Sequence, residues 1–299
     1  MIFENINEDA KLSLIIIKMS WYTKYLSVFE KPFFQTPQIV IDEIRENLKR
    51  IQSENPVATV AIIAYNEEIR LLSCIWSLSE SNSKYPIEII GIDNNSTDAT
   101  PDVFRAVGLP FYTETKKGPG FARNKGLMEA KGKYYLCIDS DTMYPHQYIE
   151  NMIEELEKPG VVAVSASYSY VPSKQYPKYW LVIYELIRDI HLFLLSFKNP
   201  VWCVRGAVFG HSVELGRKIG GYRVHITRGE DGSMAYDLKQ FGKITFKRGR
   251  KTRAITCTKS IGADGPIFKA LIKRVAEAIK GFKRYFFFTG DSDSNPKAI

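Results

Sequence analysis

From Val57 onward the chain alternates short β-branched runs with amphipathic stretches of helical length, and this alternation restricts the fold more than any other feature. The runs are VATVAIIAY, IEIIGID, PFYTET, YYLCID and VVAVSASYSY. Between them lie EEIRLLSCIWSLSES, TPDVFRAVG, GFARNKGLMEAKG and PHQYIENMIEELEKP. Strands that alternate with helices form βαβ units, and near-continuous apolar strands indicate helices on both faces of the sheet. The pattern predicts a Rossmann-like α/β domain with a mostly parallel sheet.

Other segments flank this domain. The stretch PQIVIDEIRENLKRIQ places Ile41, Ile44, Leu48 and Ile51 at helical spacing, and SENP ends it. We therefore expect an N-terminal helical extension over residues 1–55, a central α/β domain over 56–250 and a basic C-terminal segment over 251–299.

Composition narrows the class of partner and compartment. There are 41 Lys and Arg against 33 Asp and Glu, an excess that favours an anionic partner: nucleic acid, a phosphorylated ligand or a membrane surface. The four cysteines are far apart and lack metal-site spacing, which predicts reduced core thiols in a reducing compartment. No secretory signal precedes the domain, and no uncharged run reaches the roughly 18 residues of a membrane helix. A cytoplasmic location is expected.

Polar residues follow the strands where a ligand would bind. In open α/β sheets, ligands sit beyond the carboxyl ends of the strands. The segments at these ends are AYNEE, IDNNSTD, TKKGPGFARN and IDSDT. We expect these four loops to face one common ligand.

Asp139 and Asp141 end the fourth run, one residue apart. Side chains at i and i+2 of a strand point the same way, provided that the extended conformation reaches Asp141. Two carboxylates on one side are half of a Mg²⁺ or Mn²⁺ site, and phosphate oxygens and water can complete it. The alternative is a solvated loop with two acids and a cap for the helix after Pro145.

Three further segments carry chemistry at this edge. Asp93 can accept hydrogen bonds from a base or ribose, although the following NNSTD also suits simple turn and capping chemistry. KKGPGFARNKG lets backbone approach a ligand, and Arg123 and the lysines can meet phosphate. Glu230 and Asp231 lie between two glycines at the start of a predicted helix. They provide either a general base or simply acids that the helix dipole stabilises.

Taken together and in order, these segments resemble the inverting glycosyltransferases of family 2, which have the GT-A fold. The resemblance rests on IIAYNEE, on Asp93 in IDNNSTD, on GPGFARNKG, on the DxD of Asp139 and Asp141, and on the ED of Glu230 and Asp231. It extends over roughly residues 57–245.

The resemblance implies a role for each matching residue. Asp231 would be the catalytic base, and Asp141 with Asp139 would bind Mg²⁺ or Mn²⁺. The nucleotide-sugar donor would contact Tyr65, Asn66, Glu67, Asp93, Asn94, Gly120, Arg123, Asn124, Asp139 and Ser140. WCVRGAVFGHS would line the sugar and acceptor pocket, with Trp202, Arg205, Gly206 and Glu230 as its contacts.

The implied reaction transfers one sugar from a UDP- or GDP-linked donor to a hydroxyl, in polysaccharide or glycoconjugate synthesis. A carbohydrate or a lipid-linked glycan would be the acceptor. Two features depart from the family pattern: Asn94 stands where a second Asp is common, and the QxxRW motif of processive members is missing. All four His precede Asp231, so a downstream His cannot be a metal ligand.

Two amphipathic stretches remain. IFKALIKRVAEAIKGFKRYFFF, residues 267–288, separates large apolar residues from five of its six basic residues, Lys269, Lys273, Lys280, Lys283 and Arg284. This separation favours a helix on the inner face of an anionic membrane over one packed on the domain. The stretch from Tyr176 to Phe197 has a narrow polar stripe, formed by Lys178, Glu185, Arg188 and Asp189. Core packing of its wide apolar face is the favoured interpretation there, with a lipid acceptor groove as the alternative.

Two other functions compete with sugar transfer. A nucleotidyltransferase shares the sheet type, but it usually has a glycine-rich basic loop after the first strand, where this chain has AYNEE. A non-catalytic membrane or nucleotide-binding protein would use the net charge of +8. No RNA-module motif is present, and nucleic acid is not expected as a partner.

Overall fold

The structure is a computed structural model that describes residues 21–226 and 229–262. Within these residues, seven strands form a central sheet in the order β3-β2-β1-β4-β8-β6-β9, and three form a small sheet in the order β5-β10-β7. The strands are β1 (Ala58–Ala64), β2 (Ile87–Asp93), β3 (Phe111–Thr113), β4 (Tyr134–Asp139), β5 (Thr142–Met143), β6 (Val161–Ala166), β7 (Tyr168–Tyr170), β8 (Phe209–Ser212), β9 (Lys243–Lys247) and β10 (Ala254–Thr256).

Helices connect these strands and precede them. They are α1 (Gln38–Ile51), α2 (Glu68–Ser79), α3 (Thr100–Ala106), α4 (Pro119–Glu129), α5 (Tyr148–Leu156), α6 (Lys178–Lys198), α7 (Val213–Lys218), α8 (Glu230–Leu238) and α9 (Lys259–Gly262). The α/β class and the mostly parallel sheet are confirmed: β3, β2, β1 and β4 run parallel, and β8 is antiparallel to both of its neighbours.

Strand register aligns the carboxyl ends of the parallel strands. Ala64 pairs with Asp93 on β2, and Ile63 pairs with Asp139 on β4. The polar segments that follow β1, β2 and β4 therefore leave the sheet side by side, as the sequence predicted.

Alternate residues of the strands pack into two cores, one on each face of the sheet. Val60 and Ile62 of β1 join one cluster, whereas Ala61 joins the other, because successive side chains of a strand point to opposite faces. The described part of the N-terminal extension belongs to the first cluster, where Tyr25 and Ile44 are fully buried.

The run VVAVSASYSY, predicted as one strand, is two. It breaks at Ser167, whose N–H donates to the Lys247 carbonyl at 3.1 Å and whose carbonyl accepts from Ala254 N at 3.3 Å. These tertiary hydrogen bonds send β6 into the central sheet and β7 into the small one. The strand β8, inside WCVRGAVFGHS, was not predicted as a strand.

The prediction that α6 packs a wide apolar face on the core holds only in part. Leu181, Tyr184 and Leu192 are buried together with Arg188, whereas Leu186 and Ile190 are 60% and 52% exposed. None of the helices in 21–226 and 229–262 combines the length and apolar character that crossing a membrane requires. The amphipathic stretch 267–288 lies outside the described residues.

Candidate active site

A cavity of about 520 Å³ opens at the carboxyl ends of β1, β2 and β4, within the size range of ligand sites. Of the described residues, its lining consists of Ile63, Tyr65, Glu67, Asn94, Lys117, Gly118, Pro119, Arg123, Asp139, Ser140, Asp141, Glu230 and Lys259. All four predicted loops contribute, and the helix start at Glu230 joins them.

Arg123 gathers three carboxylates at the inner end of the cavity. Its Nη2 lies 3.1 Å from Asp139 Oδ1, its Nη1 2.9 Å from Glu230 Oε1 and its Nε 2.9 Å from Asp231 Oδ1. We call these four residues the Arg123 cluster. The side chains of Arg123, Glu230 and Asp231 are only 6%, 7% and 10% exposed. Three carboxylates therefore share one buried cation, whose single positive charge cannot balance all of them when they are ionised.

Arg123 and Asp231 form a buried ion pair. Although Nε and Oδ1 are close, their orientation is unfavourable, and neither atom has a hydrogen-bond partner among the described residues. Burial raises the pKa of Asp231, Arg123 opposes the rise, and Glu230 and Asp139 add to it, so that the pKa is about 7. An unsatisfied carboxylate oxygen with a near-neutral pKa is suited to accept a proton.

Gly206 leaves the room that this cluster needs. A Cβ at this position would overlap Arg123 Nη2 and Asp231 Oδ2. The predicted acceptor residue Arg205 instead donates from Nη1 to the carbonyls of Trp202 and Val204, at 3.1 and 2.6 Å. Arg205 and Trp202 thus shape the loop beside α8, while Gly206 touches the cluster itself.

The two DxD carboxylates line the same cavity although the strand ends early. β4 stops at Asp139, and Ser140 and Asp141 form a turn, so the expected extended conformation does not reach Asp141. The Asp139 side chain is 38% exposed and faces the cavity. Its partial removal from water raises its pKa, Arg123 opposes the rise, and the repulsion of Asp141 adds to it, so that the pKa is about 6.

Asp141 is held by residues that follow β9. Its Oδ1 accepts from Thr142 Oγ1 at 3.0 Å and from Thr256 Oγ1 at 3.3 Å, and its Oδ2 accepts from the Cys257 thiol at 3.0 Å. Burial raises the pKa of that thiol, with Asp141 adding to the rise, so the sulfur stays protonated and donates. The other three cysteines are also buried and free, as predicted.

The carboxylates fit a divalent cation as a partial ligand set. Among the described residues, no group of three His, Cys, Asp or Glu is arranged to hold a metal by itself. Asp139 and Asp141 nevertheless offer hard oxygens to one cavity, and two like charges there favour a bound cation. Ligand phosphate and water would complete the coordination.

One wall of the cavity carries the aromatic ring of Tyr65 and two lysines, Lys117 and Lys259. Tyr65 is 46% exposed. Glu67, two residues along the chain, forms ion pairs with Arg70 at 3.1 Å and with Lys259 Nζ at 2.8 Å. Lys117 lines the cavity beside the start of α4, which follows Gly118 in the positive-φ conformation that glycine favours. Backbone N–H groups at that helix start can bind phosphate.

Several predicted donor residues hold loops together instead of facing the cavity. Asn66 Oδ1 accepts from Thr97 N at 2.8 Å, and Asp93 Oδ1 accepts from Ser96 N at 3.3 Å. Asn94 lines the cavity, yet its amide also donates to the Lys116 carbonyl at 2.7 Å. These contacts order the loops after β1 and β2.

Asn124 and Gly120 serve packing on α4. Asn124 accepts from Tyr222 N at 2.6 Å and donates to the Tyr222 carbonyl at 2.8 Å, which ties α4 to the segment before α8. A Cβ at Gly120 would lie 2.9 Å from the Arg223 carbonyl oxygen. The same junction therefore explains the two residues without a ligand.

The family model for "Glycosyl transferase family 2" matches residues 59–213, just over half of the chain. The chain belongs to this family. The match includes every cavity-lining residue named above except Glu230 and Lys259. The resemblance inferred from the ordered motifs is confirmed.

Individual relatives of this family 2 glycosyltransferase are distant. It is 30% identical over 105 residues to EpsH of Bacillus subtilis, covering 33% of this chain and 30% of EpsH. It is 24% identical over 226 residues to the dolichyl-phosphate beta-glucosyltransferase of Dictyostelium discoideum, covering 64% of this chain and 66% of that one. The chain spans 30–48% of the length of the first curated relatives it matches.

Solved structures share the fold. The mannosyltransferase PcManGT from Pyrobaculum calidifontis, in complex with GDP-Man and Mn²⁺, superposes with a TM-score of 0.57 at 21% identity, covering 83% of this chain and 73% of that one. Glucosyl-3-phosphoglycerate synthase from Mycobacterium tuberculosis, in complex with Mn²⁺, UDP and its glucosylated product, superposes with a TM-score of 0.52 at 19% identity, covering 82% and 85%. These likenesses confirm the GT-A fold.

Sequence reasoning missed the residues beyond β9 that reach the site. Thr256, Cys257 and Lys259 contact Asp141 or Glu67, although residues 251–262 had been assigned to the C-terminal segment. The available signal was the short apolar run AIT with polar residues at its end, the same pattern that marks the other strands. Three residues are too few for that pattern to stand out.

Proposed function

We propose that this family 2 glycosyltransferase moves one sugar from a nucleoside diphosphate sugar to a hydroxyl acceptor with inversion, and that Asp231 is the general base. The observation that carries the proposal is the Arg123 cluster: a buried carboxylate with a pKa of about 7 stands beside Glu230, which lines a cavity that also holds two DxD carboxylates. Such pairs of acids with different environments commonly divide the roles of a catalytic site.

The reaction needs one proton acceptor and one stabilised leaving group. The acceptor oxygen attacks the anomeric carbon while its proton passes to a carboxylate oxygen of Asp231. The bond from the anomeric carbon to the diphosphate breaks, and nucleoside diphosphate leaves with the electron pair. A single displacement inverts the configuration.

Arg123 positions this base and does not take the proton. Its contacts with Asp139 and Asp231 hold the two carboxylates around one guanidinium, and Gly206 permits that approach. The charge of Arg123 also keeps part of the Asp231 population ionised at neutral pH, because it opposes the effect of burial. Orientation of this kind contributes to catalysis without covalent chemistry.

The donor would lie between Tyr65 and the start of α4. The exposed ring of Tyr65 offers a face for a base, and Lys117 with the α4 N-terminus suits a diphosphate. Asp139 and Asp141 would hold Mg²⁺ or Mn²⁺, which when bound neutralises negative charge on the leaving group. The GDP-Man and Mn²⁺ of PcManGT support this donor class.

A nucleotide-sugar panel tests the function directly. Thermal shifts are measured for UDP- and GDP-sugars, with ADP-glucose as a control, in Mn²⁺, Mg²⁺ or EDTA. A ligand that binds the folded state raises its apparent stability by mass action, so the true donor should give a metal-dependent shift. Release of the matching nucleoside diphosphate should follow. A panel without any metal-dependent shift and without release would contradict the proposal.

A further inference from the structure

One side of α6 presents a continuous apolar stripe. Its exposed large side chains are Tyr179, Val182, Ile183, Leu186, Ile190 and Phe197, between 41% and 67% exposed. At 3.6 residues per turn, these positions fall within about 100° of arc. We call this stripe the α6 face. An exposed apolar patch of this regularity marks a site of association.

The opposite side of α6 is firmly attached to the protein by polar contacts. Arg188 is 4% exposed, and its guanidinium lies 4.3 Å from the ring centroid of Tyr168. Asp189 pairs with Arg188 at 2.8 Å and with Arg253 on the other side. The same side also buries Leu181, Tyr184 and Leu192, so α6 has one apolar side packed on the protein and a second one exposed, whereas a surface helix normally has a single apolar stripe. The α6 face is therefore part of the fold and does not result from loose packing.

Basic side chains surround the α6 face. The loop between β9 and β10 contacts α6 beside this face, with the Arg248 guanidinium 3.7 Å from the ring centroid of Phe193. The exposed basic residues at the two ends of the helix and in this loop are Lys174, Lys178, Lys198, Arg248, Arg250 and Lys251.

Acidic side chains are almost missing from the same region. From Val161 to Ser212 the sequence has two acids, Glu185 and Asp189. Glu185 accepts from Ser169 Oγ at 2.7 Å and from Tyr170 N at 2.8 Å, and Asp189 is the ion-paired residue described above. The surroundings of the α6 face are therefore positive, which selects for an anionic counterpart.

We propose that the α6 face lies in the interface of an anionic lipid bilayer. A helix of 21 residues is about 31 Å long and can lie in the plane of the interface, with its apolar side chains below the headgroups. The basic residues then meet anionic headgroups, each worth on the order of a few-fold in binding and screened by salt. The charge of this region thus favours lipid over an apolar protein partner.

The position of α6 connects the membrane to the acceptor side of the cavity. α6 packs against the 3₁₀ helix Pro200–Cys203, which packs against α8, the helix that begins with Glu230 and Asp231. A hydroxyl on a lipid-linked acceptor could reach Asp231 from that side. This part of the inference rests on the proposed function, whereas membrane binding itself does not.

Vesicle sedimentation of the full chain, without donor, tests the inference. Vesicles contain phosphatidylcholine alone or mixed with phosphatidylglycerol. The wild type should sediment with the anionic vesicles at low salt, and binding should weaken without vanishing at high salt, because only the electrostatic part is screened. Leu186→Ser with Ile190→Ser should reduce partitioning at least about ten-fold, since both apolar side chains leave the bilayer.

Matched variants on α1 control for general surface effects. Ile39→Ser removes an apolar side chain that is 77% exposed outside the α6 face, and it should bind like the wild type. Arg248→Gln with Arg250→Gln should weaken binding at low salt, whereas Lys49→Gln with Arg50→Gln on α1 should not. Donor-induced thermal shifts measured on each variant report the fold and the nucleotide site separately from lipid binding.

Three results would overturn the inference. The wild type could remain in the supernatant with anionic vesicles at low salt. Binding could be unaffected by the α6 substitutions and lost on truncation after Gly262, which would assign it to the segment 263–299. Alternatively, the α6 substitutions could convert a dimer into a monomer while lipid binding is unchanged, which would make the α6 face a self-association surface.

Discussion

The loops after β1 and β2 and the Arg123 cluster lie on one cavity, but they treat their polar groups differently. In the loops, Asn66, Asp93 and Asn94 are hydrogen-bonded to neighbouring backbone. In the cluster, Arg123 Nε and Asp231 Oδ1 are buried without a hydrogen-bond partner among the described residues. The polar groups of the loops are satisfied, as in a structural scaffold, whereas these two atoms of the Arg123 cluster have hydrogen-bonding capacity that no neighbour uses.

This difference separates the residues that shape the site from those that react. A satisfied polar network rigidifies its surroundings, whereas an unsatisfied buried group is costly and persists mainly where function requires it. The raised pKa of Asp231 is a second sign of the same kind. Substitutions in the two regions should therefore have different consequences, and the predictions below test this.

The largest effect is expected when the cation of the cluster is removed. Arg123→Met leaves Asp139, Glu230 and Asp231 without their shared partner, and breaking a buried ion pair typically costs about 3–5 kcal/mol of unfolding free energy. Chemical denaturation at pH 8 measures the loss. Lys125→Met is the control on the same helix, since its pair with Glu129 is partly exposed and is worth about 0–1 kcal/mol. Equal losses of unfolding free energy in the two variants would contradict the claim that the Arg123 cluster stabilises the fold more than a partly exposed ion pair does.

The next effect concerns the DxD carboxylates. Asp141→Asn should abolish the Mn²⁺-dependent part of the donor-induced thermal shift, because one hard oxygen ligand is lost. The fold should persist, since the amide oxygen can still accept from Thr256 while the amide NH2 group can donate to the Cys257 sulfur in place of accepting from it. Asp102→Asn, a 62% exposed carboxylate on α3, serves as the control. A Mn²⁺-dependent shift that survives in the Asp141 variant would contradict the metal assignment.

On the scaffold side, stability should suffer and donor binding should not. Asn124→Ala removes two hydrogen bonds to the Tyr222 backbone and leaves those groups unsatisfied, at a cost of about 1–3 kcal/mol. Donor affinity, measured by titration at a temperature where the variant is folded, should stay within about two-fold of the wild type. A selective loss of donor affinity would return Asn124 to the donor-binding set that the family resemblance implied.

The smallest effect is a pH dependence of turnover. A protonated Asp231 cannot accept the hydroxyl proton, so with a pKa of about 7 kcat should fall about ten-fold per pH unit below neutrality and level off above it. Glu230 raises this pKa, and Glu230→Gln should move the midpoint to lower pH. Both profiles are measured at saturating donor. A flat profile from about pH 5.5 to 8.5 in the wild type would exclude Asp231 as the titrating base.

The same contrast explains how much the sequence could predict. The strands β1, β2 and β4, their helices and the cavity edge follow from local periodicity, because each of these parallel strands is a long buried run. The break at Ser167 and the short strand β10 depend on hydrogen bonds between distant segments. Periodicity within a window cannot report such pairing.

The Arg123 cluster and the orientation of α6 could not be predicted from local sequence patterns, for a similar reason. Arg123 and Asp231 were both predicted site residues, but their contact spans more than a hundred residues and no motif encodes it. For α6 the apolar pattern was recognised, but it did not show that Leu186 and Ile190 stay exposed while Arg188 is buried against Tyr168 and Asp189. Buried partners for a charge are visible only in three dimensions.

Asp231→Asn shows whether Asp231 takes the proton from the acceptor hydroxyl. The substitution is nearly isosteric, and the variant should be at least as stable as the wild type at pH 8. Because burial raises the pKa of Asp231 to about 7, ionisation costs the folded state stability as pH rises through that value, and Asn avoids the cost.

The decisive measurement is donor affinity and acceptor-dependent release of nucleoside diphosphate on the same Asp231→Asn preparation, with Glu230→Gln beside it. We predict unchanged donor affinity with turnover reduced by about 10²–10⁴-fold, and a smaller loss in the Glu230 variant. Near-normal turnover by Asp231→Asn, or parallel losses of donor binding and turnover, would contradict the assignment of Asp231 as the base.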